Sequence, residues 1–236
     1  MSYGIWAVWY NLGEAGREAH LDWLHGTYLP DMVARPGIMW AANYRVDEDE
    51  YRDRRNQLTH TSERIAQGTQ YICMIAAASA HQFFVEDSPF VEENQSADVR
   101  ARLGERDEAR LAVLIEEESV NGPAYGLSTP GAAPAAAIQL GSFRMTREET
   151  DIWIGQWYAR LRMPAMARTP GVIRCRKLLA TAGWCRHAVL YEFESHEMRR
   201  EHGIQPHSAW SKAVVDETVH APGSPLIGYR LWPEPA

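Results

Sequence analysis

His20, His25, Tyr28 and Asp31 bring imidazole, phenol and carboxylate chemistry into one short stretch. Leu21, Leu24, Tyr28 and Met32 recur there at three- and four-residue steps, the spacing of a helix with one apolar stripe. Residues three or four apart share a helix face, so His25, Tyr28 and Asp31 are the expected catalytic group. In that reading the Tyr28 phenol gives a proton to a substrate oxygen while His25 or Asp31 tunes it. The same residues also admit a structural reading, with Tyr28 at the core edge, Asp31 on a solvated turn after Pro30, and the histidines on the surface.

A second group is aromatic. Strand alternation over Ile38–Val46 sets Trp40, Ala42 and Tyr44 on one face and Met39, Ala41 and Asn43 on the other. With Trp40 and Tyr44 towards a cavity, the strand at Gly4–Leu12 adds either Trp6 and Tyr10 or the opposite set with Trp9. Trp40, Tyr44, Tyr10 and Trp6 are the expected substrate-binding rings, and Arg162, in an arginine-rich helix, the expected holder of an anionic group. Tryptophans filling the space between sheet and helix are the structural alternative. His196, Glu197, His202 and His207 form a local concentration, but Gly203 and Pro206 interrupt the helix that would align them, and no metal site is expected. Without a Gly-x-Gly-x-x-Gly, a Walker sequence or a Gly-x-Ser-x-Gly, no cofactor is expected either.

The chain has 236 residues and a formal charge of −7, with only 24 Lys and Arg, so neither a nucleic acid nor a membrane surface is an expected partner. The acidic excess lies in residues 1–118, while residues 119–236 are slightly basic, a difference that favours the halves docking. Three cysteines without a Cys-x-x-Cys pair suit a reducing compartment, the start of the sequence does not read as a signal peptide, and the expected location is cytoplasmic. The expected partner is a small-molecule substrate.

Behind these residues lies a repeat. Trp23, Pro30, Met32, Pro36 and Gly37 recur as Trp157, Pro164, Met166, Pro170 and Gly171, all at one offset and without a gap. The Pro-, Gly- and Ala-rich stretch between the halves reads as a linker. The expected domains are a first repeat at 1–120, a linker at 121–135 and a second repeat at 136–236. Strands are expected at Gly4–Leu12, Ile38–Val46, Gln70–Ala78, Leu111–Glu118, Ala137–Phe143, Val172–Ala180, Arg186–Phe193 and Leu226–Trp232. Helices are expected before Arg35, through the acidic segment to about Arg110, at Arg147–Arg168 and over 195–217. That order is β-α-β-β-α-β twice, the ferredoxin-like unit. An antiparallel sheet with helices on one face needs cover for the other, so the expected fold is α+β: two tandem ferredoxin-like repeats packed sheet to sheet as a pseudo-dimeric α+β barrel around a cavity. One chain then supplies both sheets, as a monomer with pseudo-dimeric halves or as a homodimer.

The stretch from Trp23 to Tyr44, with Leu29-Pro30-Asp31-Met32 and Pro36-Gly37, resembles the first helix and second strand of the dimeric α+β barrel superfamily, particularly its EthD-like members. Those members carry a histidine two residues before the helix proline; here that position holds Tyr28, and Arg162 in the second half. The resemblance implies a cofactor-independent acid/base enzyme of lyase or isomerase/cyclase type acting on a hydrophobic, aromatic or polyketide-like molecule. The alternatives are a non-catalytic small-molecule-binding or accessory protein of the same fold, and a haem-dependent member.

Overall fold

The computed structural model describes residues 3–47, 49–50, 58–127, 132–203 and 208–235. His207 and part of the expected linker, 128–131, lie outside them.

Runs rich in apolar, β-branched and, in the first three, aromatic residues form β1 (Gly4–Asn11), β2 (Ile38–Val46), β3 (Tyr71–Ala77) and β4 (Asp107–Asn121). The later strands are β5 (Ala137–Met145), β6 (Val172–Gly183), β7 (His187–Phe193), β8 (Thr218–His220) and β9 (Leu226–Trp232). They make one antiparallel sheet in the order β7-β6-β4-β1-β3-β2-β9-β5, which β5 closes by pairing with β7; short β8 pairs with β5 beyond the reach of β9. The result is an eight-stranded antiparallel barrel. Residues 4–121 supply β4-β1-β3-β2 and residues 137–232 supply β9-β5-β7-β6, joined at the seams β4–β6 and β2–β9. Closure removes the unpaired edges that each open sheet would present.

Helices cover the outside. The first runs as α1 (Arg17–Trp23), a π turn at Leu24–Tyr28 and α2 (Leu29–Val33). Its counterpart runs as α4 (Glu149–Trp157), a π turn at Tyr158–Arg162 and α5 (Met163–Met166). Both wide turns precede a proline, Pro30 and Pro164, whose ring lacks an N–H and crowds the carbonyl four residues back; widening the turn relieves both problems. Leu24 and Tyr158, Tyr28 and Arg162, and Ile38 and Val172 fall at the offset of the sequence repeat. Each helix ends at a Pro-Gly whose glycine takes a positive φ, +84° at Gly37 and +73° at Gly171.

The acidic segment after β3 is not mostly helical. Short 3-10 turns at Ala80–Phe83 and Glu92–Asn94 precede α3 (Ala97–Leu103), the one α-helix there. Pro89 bars a continuous helix, and Phe83 and Phe90 instead pack on Trp6 at 5.7 and 4.8 Å between ring centroids. The expected helix over 195–217 divides into α6 (His196–Glu201) and α7 (Ala209–Asp216), each N-capped by a serine, Ser195 and Ser208.

Candidate functional site

Strand alternation sorts the expected residues into two layers. Ile5, Ala7 and Trp9 of β1 point into the barrel, where they pack with Trp40, Ala42 and Tyr44 of β2 and with side chains from the opposite sheet, including Ile138, Leu178 and Leu190. Trp6 and Tyr10 point the other way, into the layer beneath the helices. The expected group of Trp40, Tyr44, Tyr10 and Trp6 is therefore divided by the sheet itself, because the register sets Trp9, not its neighbours, beside Trp40 and Tyr44.

Between the sheets, where a cavity is expected, a cluster of buried apolar side chains packs together. Tyr44 is fully buried and donates from its hydroxyl to the Pro134 carbonyl at 2.8 Å, tying the end of the expected linker to the barrel. Beside it Arg176 pairs with Glu192 at 2.9 Å, both almost wholly buried, and bonds the Tyr3 hydroxyl. A guanidinium paired with a carboxylate in a closed interior is a structural arrangement.

The layer beneath the first helix is different. Asn43, fully buried on β2, accepts from the Tyr10 hydroxyl at 3.0 Å. Its amide nitrogen lies 2.9 Å from His25 Nε2. With the carbonyl oxygen of Asn43 occupied by Tyr10, the amide N–H donates to Nε2, which makes His25 a neutral imidazole protonated at Nδ1. Burial also pulls the His25 pKa below its ordinary value. Tyr28 stands three residues on, on the same π turn, its ring 5.1 Å from that of Trp23. Burial pushes its phenol up to about 12, so it stays protonated at neutral pH.

Further groups complete the cluster. His20, buried, holds Glu105 at 2.9 Å through Nδ1 and accepts from Arg106 Nε at 3.4 Å through Nε2. Burial lowers its pKa. Arg106 lies 4.5 Å above the Tyr10 ring, and Tyr71 stacks on the same ring at 5.3 Å. Tyr71 also lines a cleft of about 590 Å3 with Arg17, Arg45 and Asp47, so the layer meets solvent at that ring.

Of the expected catalytic residues, the fold brings His25 and Tyr28 into this layer and leaves Asp31 exposed on the outer side of α2. Asn43 had a signal in the sequence, as the polar member of the face it shares with Met39 and Ala41. Arg106 and Glu105 had none, since they arrive from the turn between α3 and β4.

The second half carries other chemistry at the matching positions. Arg162 takes the place of Tyr28; it is buried, donates from Nε to the Tyr191 hydroxyl at 3.1 Å and lies over the Trp157 and Tyr191 rings. Lys177 takes the place of Asn43 and contacts His187 Nδ1 at 2.9 Å, while His187 Nε2 reaches Asp151 at 3.0 Å. Among the described residues no group of three or more His, Cys, Asp or Glu side chains gathers to hold a metal ion. Nor is any helix among them long and apolar enough to cross a membrane.

No protein-family model and no curated protein matches the chain. Solved structures do match its shape. An anthrone oxidase-like protein superposes with a TM-score of 0.59 at 11% identity, over 98% of this chain and 91% of that one. A "putative monooxygenase" from Lactobacillus acidophilus NCFM gives 0.56 at 10% identity, over 98% and 94%. A "putative chlorite dismutase" gives 0.56 at 13%, over 98% and 95%. At these identities the likeness is one of fold alone, that of an antiparallel α+β barrel.

Proposed function

We propose that this chain is an enzyme that moves protons on a hydrophobic, aromatic or polyketide-like small molecule without a resident cofactor, with a lyase or isomerase/cyclase outcome, and that the helix-covered layer of its first half is the active site. The Tyr10–Asn43–His25 chain carries the reading. A base that works near neutral pH must be neutral, oriented and partly desolvated, and His25 meets each condition. Asn43, fixed by Tyr10, holds the ring and its tautomer. On substrate binding the Asn43 N–H gives up its hydrogen bond to Nε2, whose lone pair then takes a proton from a carbon or hydroxyl of the substrate, and the Tyr28 phenol donates to the oxygen on which negative charge builds. Environment thus divides base and acid between two residues of one turn. Asp31 receives no step. Trp23 and Tyr71 offer apolar faces for a planar substrate.

We also infer that the barrel is a tandem repeat of ferredoxin-like halves within an EthD-like branch of the superfamily, the second half having exchanged these groups for Arg162 and Lys177. A second outcome follows from the same first step. A carbanion formed beside a ketone reacts with dioxygen, and the likeness to an anthrone oxidase-like protein favours assaying it.

The test uses anthrone as probe, with and without dioxygen, alongside aromatic β-ketones that can cyclise. His25→Ala is expected to lower turnover by roughly 10²–10⁴-fold, the range for a lost general acid or base. Tyr28→Phe is expected to lower kcat more than it raises KM. Turnover unchanged in both variants would sink the reading; binding without any turnover in the parent protein would favour the accessory alternative.

A further inference from the structure

We propose that the barrel end at Arg110 is a binding seat for one small oxyanion, a carboxylate or an inorganic oxyanion. Arg110 lies on β4 opposite Trp9 of β1 and turns inward, its guanidinium 4.1 Å from the centre of the Trp9 ring. Only 4% of the residue is exposed. Among the described residues Nε and Nη1 have no acceptor, and Nη2 reaches the Pro222 carbonyl only at 3.5 Å. No carboxylate pairs with it among the described residues. Arg176, elsewhere in the same interior, has Glu192 at 2.9 Å.

A second orphan lies on β5. Ser142 is 1% exposed and its hydroxyl has no partner. The Ser142 carbonyl accepts from Ala221 N at 2.9 Å and its N–H donates to Ser224 Oγ at 2.8 Å, so one loop, 221–224, links the serine to the Pro222 carbonyl beside Arg110. Cationic donors and a hydroxyl, all buried and without hydrogen-bond partners, are the complement of an oxyanion. Burial alone holds the Arg110 pKa down to about 10, and the neighbouring Cys185 thiol, pushed up to about 11, supplies no counter-charge at neutral pH. Pro222, whose carbonyl lies beside Arg110, also lines a cleft of about 570 Å3 with Asn11, Thr69 and Glu108. Glu108 is engaged, accepting from Gln67 N at 2.9 Å.

The seat is on the opposite face of the sheet from His25, so it stands or falls independently of the proposed active site. The test is calorimetric titration at fixed ionic strength with acetate, nitrate and phosphate, against chloride as control, together with tryptophan fluorescence, since Trp9 lies under the guanidinium. Saturable one-to-one binding of at least one oxyanion is expected, and which one saturates separates the carboxylate from the inorganic sources. Arg110→Met should abolish it and Ser142→Ala weaken it several-fold. No saturation with any of the three, an equal response to chloride, or parental affinity in Arg110→Met overturns the proposal. If Arg110→Met does not fold, Arg110→Lys and Ser142→Ala decide: parental affinity in both overturns it, and weakened affinity in both supports it.

Discussion

Tyr10, Asn43 and His25 come from two strands and a helix, and each limits what the next can do. Tyr10→Phe removes only a hydroxyl, yet it leaves the Asn43 carbonyl oxygen buried without a donor. The cost of an unmet buried acceptor is about 1–3 kcal/mol, measurable as a lower urea midpoint with an unchanged slope. Because Asn43 is then free to rotate, the pH profile of turnover should also shift, which packing loss alone would not produce. The sequence singled out His25 and Tyr28 because their spacing is local to one helix. Asn43 and Arg106 depend on which strand and which turn arrive beneath that helix, and residue spacing does not encode that.

The elements were legible where local chemistry is strict. Pro30 and Pro164 set the wide turns, and Pro36-Gly37 and Pro170-Gly171 end the helices, so β2 begins at Ile38 and β6 at Val172 as expected. The two glycines nevertheless meet different surroundings. A Cβ on Gly37 would press on the flexible end of Gln82, whereas one on Gly171 would meet the Cβ of Met198. Both substitutions by alanine carry the left-handed penalty of roughly 1–2 kcal/mol. Gly171→Ala should lose more stability than Gly37→Ala, by thermal melting of the two variants side by side. The acidic segment misled because helix-forming composition says nothing about Phe83 and Phe90, which leave any helical register to pack on Trp6.

At the scale of the molecule, folding buries histidines that the unfolded chain would expose. Burial lowers the His220 pKa to about 3 and that of His187 to about 4, each below the ordinary 6.5. The unfolded state therefore binds protons first as pH falls. The stability present above pH 6.5 is lost between that value and the folded pKa values, by about 1.4 kcal/mol per pH unit for each histidine. Urea unfolding at pH 7 and pH 4.5 should show the loss, and His220→Gln should make it shallower. By itself the sequence determined most of the strands and the two proline-bearing helices with their Pro-Gly stops, because these follow from periodicity and backbone chemistry within a few residues. Only the tertiary structure decided that Trp9, not Trp6 or Tyr10, faces the barrel, that Asp31 stays outside, and that Asn43 meets His25. Those outcomes rest on strand register and on contacts between residues far apart in the chain, where a shift of one position exchanges the two faces of a sheet.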